Sequence, residues 1–220
     1  MMLDLSQSTE FNKKIPKNKF YKNLNLNSKI IDAFTKDVES IYWTNKISED
    51  TLKVKKGKKV TEIEVFLLRA KGDKIDEKIL KSIDQSIPYH IVFVLEYRDN
   101  KIDLVAAVKE ARTKTYFEVE KYFYKEIPST SYKLRLFGHD LDLIYENIIR
   151  DILGLEKNQG KSLREDLEIL YKLEDLSKSR KALANKMKRT KQFNKKMQIS
   201  DEIKIIDEKI KNIRGENNDN

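Results

Sequence analysis

The chain contains no cysteine. Disulfides, thiolate nucleophiles and cysteine-built zinc sites are therefore excluded. Its two histidines, His90 and His139, are too few for a histidine-built metal centre. Only six glycines are scattered over 220 residues. No glycine-rich loop is available to cradle a phosphate, and neither a P-loop nor a dinucleotide fingerprint occurs. A Ser-His-Asp order is missing as well. Long apolar runs are absent too: the IVFVL stretch at 91–95 falls far short of the ~20 residues that span a bilayer. The opening MMLDLSQSTE lacks the basic and apolar regions of a secretory signal. These absences lead us to expect a soluble, cytoplasmic protein with no membrane contact and no cofactor.

Charge is what the sequence has in abundance. Charged residues make up 37% of the chain, 45 basic against 36 acidic, for a net charge of +9. A basic balance favours anionic partners, nucleic acid first and acidic protein surfaces second. The placement is uneven. Between Leu176 and Ser200 stand Lys178, Arg180, Lys181, Lys186, Lys188, Arg189, Lys191, Lys195 and Lys196, with no acid among them.

Periodicity divides the chain into an N-terminal domain and a helical appendage. Residues 1–27 read as a polar arm, extended by Pro16 and packed through Ile15, Phe20 and Tyr21. Ser28 caps an expected helix from Lys29 to about Ser40, with Ile30, Ile31, Phe34 and Val38 on one face. IYW at 41–43 and TLKV at 51–54 are short strand candidates, followed by KKGKK at 55–59 as a basic hairpin tip. TEIEVFLLR (61–69) and HIVFVLEYR (90–98) read as strands, the second a central one. Between them DKIDEKILKSIDQSI (73–87) has helical spacing and is stopped by Pro88. A turn at 98–100 leads to DLVAAVKEA (103–111) as an antiparallel partner. FEVEKYFY (117–124) and YKLRLF (132–137) alternate as two further strands, and 140–155 is an amphipathic helix.

The expected fold is therefore α/β (α+β): a mixed sheet of four to five strands with flanking helices over residues 1–155. A hinge at 156–162 precedes a C-terminal helical hairpin or coiled coil at 163–214 and a disordered tail at 215–220. Ile169, Leu173, Leu176, Arg180, Leu183 and Met187 follow an a/d spacing, as do Ile199, Ile203, Ile206, Ile210 and Ile213. Twelve residues separate Met187 from Ile199, so the two seams are out of phase. A hairpin turning within 189–198 lets each seam find a partner inside the chain; a stutter in one long helix, or a homodimer through the same seams, is the alternative.

Several separated motifs carry a resemblance. IPKNKFY at 15–21, IYWTNKISEDTLKV at 41–54 (through Trp43, Lys46, Ser48 and Thr51) and EIEVF at 62–66 occur in that order. IDQSIPYHIVFVL at 83–95, Lys109, and KQFNKKMQIS at 191–200 (through Gln192, Phe193 and Asn194) follow. In order and spacing the chain resembles the bacterial and archaeal family DUF4391, departing mildly at Val108 and Ser200. The resemblance implies no established activity. It implies a context, the company of helicase and DNA-methyltransferase genes in phage-defence islands, and hence a helicase or methyltransferase subunit as a partner beside DNA.

Two groups of residues are candidates for function. Lys186, Lys188, Arg189, Lys191, Lys195 and Lys196 form a basic segment suited to a phosphate backbone or an acidic partner, and Lys55, Lys56, Lys58 and Lys59 could add a second contact. Glu62, Glu64 and Lys109, with Glu39 on the preceding helix, offer acids and a lysine of the kind used by Mg²⁺-dependent nucleases. The usual Glu-x-Lys on one strand is missing, so the non-catalytic reading leads and a divergent nuclease or a pure assembly scaffold is the alternative. Trp43, Lys46, Thr51 and Glu62 are motif positions, with Trp43 read as a core or interface anchor. His90 reads as a hydrogen-bonded structural residue and His139 as part of a turn.

Overall fold

The computed structural model describes residues 3–24, 27–111, 113, 117–156 and 162–215. Most of the expected hinge and the tail beyond Gly215 lie outside them. The chain divides into two compact units, Met1–Lys157 and Asn158–Asn220.

The first unit is built on one mixed sheet of six strands, one or two more than expected. They are β1 (Glu10–Lys14), β2 (Val38–Ile47), β3 (Ile63–Ala70), β4 (His90–Glu96), β5 (Ile102–Ala111) and β6 (Phe117–Ile127), neighbours in chain order. All pairs are antiparallel except β3 and β4. That parallel pair needs a crossover, supplied by α4 (Glu77–Ser86). The remaining helices of this unit are α1 (Asn18–Leu24), α2 (Ser28–Asp37), the one-turn α3 (Glu49–Leu52) and α5 (Leu141–Leu153).

Alternation along the strands makes two apolar faces. Phe66 and Leu68, Ile91, Phe93 and Leu95, and Val105 and Ala107 pack with Phe20, Phe34, Ile79, Leu80 and Ile83 from α1, α2 and α4. The alternate residues Val65, Val92, Val94, Leu104 and Ala106 are equally buried on the other face, where α5 lies against β5 and β6. A six-stranded sheet covered on both sides explains why β3 and β4 read as continuous apolar runs.

Several local expectations are corrected. The N-terminal arm supplies the edge strand β1, and residues after Pro16 form α1 with Phe20 buried. Asn27, not Ser28, caps α2, accepting the Ile30 N–H at 3.0 Å. That helix stops at Asp37, so Val38 and Glu39 belong to β2, of which IYW is only the middle. Lys17 donates to the Val38 carbonyl at 2.7 Å and so places a cation at the end of α2. TLKV is not a strand: Ser48 and Thr51 form a capping box that winds 49–52 into α3, and Lys53 leaves it in the left-handed region. Residues 132–137 alternate but make only an isolated bridge, Leu3 with Tyr132. They are held instead by side chains: Lys125 donates to the Tyr132 hydroxyl at 2.9 Å, and Tyr132 donates to Asp151.

KKGKK is not a free hairpin tip either. The backbone N–H groups of Lys58, Lys59 and Val60 donate to the Asp142 carboxylate at 2.7, 3.0 and 2.7 Å. Three converging amides make an anion-holding nest, and here the anion belongs to the first turn of α5. Gly57 permits that approach, since a Cβ there would stand 2.1 Å from an Asp142 carboxylate oxygen. The loop is thus fastened to the helix that covers the sheet.

The second unit consists of α6 (Leu163–Arg189) and α7 (Phe193–Arg214), separated by Thr190–Gln192 and packed on each other. Ser162 and Glu165 form a capping box at the start of α6. Arg180, the charged interruption in the first seam, donates to Asp207 across the pair at 2.5 Å. Leu176, Leu183 and Met187 are half-buried, as are Ile203, Ile206 and Ile210, and Ile199 is buried. The out-of-phase seams are accommodated because the chain turns between them.

Candidate functional site

Two polar features stand out, one in each unit. The first lies at the end of the sheet where β2 and β5 finish and β3, β4 and β6 begin. Here the motif positions come together. Lys46 on β2 opposes Glu64 on β3 and forms an ion pair with Glu62 at 3.0 Å. The adjacent Glu62 carboxylate raises the Lys46 pKa. Thr51 fixes the strand end by donating to the Lys46 carbonyl at 3.0 Å and accepting the Ser48 N–H at 2.9 Å. Trp43 donates to the Asn45 carbonyl and stacks with Phe66, as an anchor should.

Glu64 is only 2% exposed, and its Oε2 has no hydrogen-bond partner among the described residues. Burial, and then the neighbouring Glu62, push its pKa up to about 8. An apolar site charges a carboxylate reluctantly, and a second carboxylate beside it makes ionisation harder still.

Lys109 is also buried, but with its counterion. Its ammonium lies 2.7 Å from Asp84 Oδ1 and 2.6 Å from the Tyr89 carbonyl, and it faces the Phe117 ring at 4.5 Å. Tyr122 donates to the other oxygen of Asp84 at 2.5 Å. Burial lowers the Lys109 pKa, while Asp84 opposes that shift. Tyr145 is sealed nearby and donates to the Ala107 carbonyl at 2.8 Å.

This geometry bears directly on the nuclease constellation. Glu64 and Lys109 face the same side of the sheet but lie on strands separated by β4, with backbones about 12 Å apart at ordinary strand spacing. Glu62 is committed to Lys46 and Lys109 to Asp84. Glu39 stands at the opposite end of β2, exposed. Among the described residues, no group of three His, Asp or Glu converges where one ion could be held.

Sequence reading missed Asp84, Tyr122 and Asp142. Asp84 had a visible signal: it follows Leu80 by four residues and precedes Ile87 by three, an acid within the apolar stripe of its helix. Such a residue requires a buried partner, and Lys109 is that partner. His90 is buried as expected, but its imidazole makes no hydrogen bond among the described residues. It packs edge-on to Phe117 and Tyr145 instead. His139 is exposed, next to the Asp140 that caps α5.

The second feature is the turn between α6 and α7. Lys186, Lys188 and Arg189 occupy the last turn of α6, and Lys195 and Lys196 the first turn of α7, with Lys191 between. None of the six has an acidic partner among the described residues. The cations ending α6 complement its dipole; those opening α7 oppose it. Gln192 caps α7 without a side-chain hydrogen bond, and no acid lies in the first turn. Asn194 is exposed, and Phe193 is 74% exposed at this tip.

No helix among the described residues is long and apolar enough to cross a membrane. No curated protein and no solved structure matches this chain significantly. The profile of one family, described as a domain of unknown function (DUF4391), matches residues 3–210. The motifs gathered at the sheet end and at the helical turn are thus those of a chain that belongs to the DUF4391 family.

Proposed function

We propose that this chain is a non-catalytic accessory protein of a DNA-processing or phage-defence system, contacting a nucleic-acid backbone through the turn between α6 and α7. The observation that carries the reading is the uncompensated charge at that turn. Six cations stand there without an acid, two of them against the positive end of a helix that has no side-chain cap. Such an arrangement repels itself until phosphates neutralise it, and each contact releases a condensed counterion. Exposed Gln192 and Asn194 supply further hydrogen-bond donors to phosphate or sugar. The non-catalytic part rests on the sheet-end residues, whose charged groups are engaged with one another: Lys46 with Glu62 and Lys109 with Asp84.

The test is binding of a short DNA duplex followed by fluorescence anisotropy as salt is varied. Affinity should fall linearly on a log–log plot, and replacing Lys188, Arg189, Lys195 and Lys196 by Glu should abolish it. Absence of binding at low salt, or binding indifferent to those four changes, would remove the nucleic-acid reading and favour an acidic protein partner.

A further inference from the structure

His90 opens β4, and its backbone N–H donates to the Glu62 carbonyl at 3.2 Å. Its side chain has no such partner. The residue is only 6% exposed, yet neither ring nitrogen is hydrogen-bonded among the described residues. The ring nitrogens are not among the fully buried unsatisfied atoms, so they reach the solvent of the cleft that the residue lines. The ring is held edge-on between Phe117, 5.4 Å away, and Tyr145, 4.6 Å away, which fixes its plane. Burial and the nearby Lys109 keep its pKa well below the usual histidine value, so at neutral pH it carries one N–H donor and one acceptor nitrogen.

This imidazole lines a cleft of about 330 Å³, together with Lys58, Lys59, Lys109, Glu110 and Phe117. That volume sits at the lower end of small-molecule sites. Of the cations, Lys109 is committed to Asp84 and the Tyr89 carbonyl. Lys58 and Lys59 have no acidic partner among the described residues, and their backbone is pinned by Asp142. The acidic lining residue, Glu110, is exposed and already engaged in another interaction. The cleft is therefore lined by two lysines of a fixed loop that have no acidic partner among the described residues, a neutral imidazole and an aromatic surface. A dianion on a small organic group matches that set: the ammonium groups neutralise it and the imidazole N–H donates to one of its oxygens.

We propose that this cleft is a binding site for a phosphomonoester, with Lys58 and Lys59 on the phosphate and His90 hydrogen-bonded to it. It is independent of the basic turn between α6 and α7.

The experiment uses the full chain with three probes: inorganic phosphate, ribose 5-phosphate and adenosine monophosphate. Calorimetry should detect an ester, and the ring ¹⁵N resonances of His90 should shift as the site fills. Lys58→Ala/Lys59→Ala should weaken binding at least about tenfold, as should His90→Phe, which keeps the ring stacking and removes the hydrogen bond. The glutamate replacements at 188, 189, 195 and 196 should leave ester binding unchanged, which separates this site from the nucleic-acid reading. If His90→Phe does not fold, the lysine variant and the wild-type resonances decide the matter. Static His90 resonances with all three probes up to about 10 mM, a weak-binding limit near 3 kcal/mol, would overturn the proposal. So would an ester affinity unchanged by the lysine variant, or one no greater than that for inorganic phosphate.

Discussion

The ammonium of Lys109 and the carboxylate of Asp84 lie 2.7 Å apart with their side chains 0% and 1% exposed. The pair joins the end of β5 to α4, the crossover helix of the sheet. A buried ion pair is weak evidence of stability against an apolar substitute, but removing one partner strands the other. Lys109→Met or Asp84→Leu alone should cost about 3–5 kcal/mol in urea unfolding. The double variant should cost clearly less than the sum of the two. Strict additivity would show that the two groups are not coupled.

Glu64 sets a pH dependence with a definite sign. Its carboxyl is raised from 4.5 to about 8 in the folded chain, so the native state holds the proton more tightly than the unfolded state. The stabilisation is fully present below about pH 4.5 and is lost as pH rises through about 8. Over that window the slope approaches about 1.4 kcal/mol per pH unit. Glu64→Gln should flatten this part of the stability curve and raise stability at pH 9 relative to the wild type. A Gln variant with the wild-type slope would place the titration elsewhere.

The nest around the Asp142 carboxylate should behave as a fastening for loop 55–60. Asp142→Ala leaves three backbone amides without their acceptor, at a cost of about 1–3 kcal/mol. Gly57→Ala places a methyl where the carboxylate sits and should release the same amides. Hydrogen exchange at Lys58, Lys59 and Val60 should accelerate in both variants. Unchanged protection would mean that other contacts hold the loop.

At the start of α6, Ser162 and Glu165 exchange backbone and side-chain hydrogen bonds, with the Ser162 N–H donating to Glu165 at 2.6 Å. Ser162→Ala should destabilise the helix start by about 1 kcal/mol. Faster amide exchange confined to the first turn is the readout; a global change in exchange would point to a different role for Ser162.

The strands at 61–69, 90–98, 103–111 and 117–124 and the helices of 73–87 and 140–155 were legible because their apolar spacing is local. So was the break between two out-of-phase seams, which falls at Thr190–Gln192. TLKV misled because four apolar-alternating residues fit a strand, while the Ser48–Thr51 capping box decided for a helical turn. Residues 132–137 misled for the opposite reason: alternation was present, but a strand also needs a partner ladder. Among site residues, Lys109 and Glu64 were visible as motif positions. Their roles were not, because Asp84 lies 25 residues from Lys109 in the chain.

The sequence by itself determined the alternation of elements, the absence of cysteine chemistry and the accumulation of uncompensated positive charge at 186–196. These are properties of composition and of periods a few residues long. Only the tertiary structure decided that the N-terminal arm completes a six-stranded sheet and that Glu62 forms an ion pair with Lys46 while Glu64 is buried beside it. It alone turned KKGKK from a free basic tip into a loop gripping Asp142, and left the His90 ring facing a cleft without a partner. Burial and pairing join residues tens of positions apart. The cost of an unsatisfied polar group is fixed by those distant neighbours, not by the residues beside it in the chain.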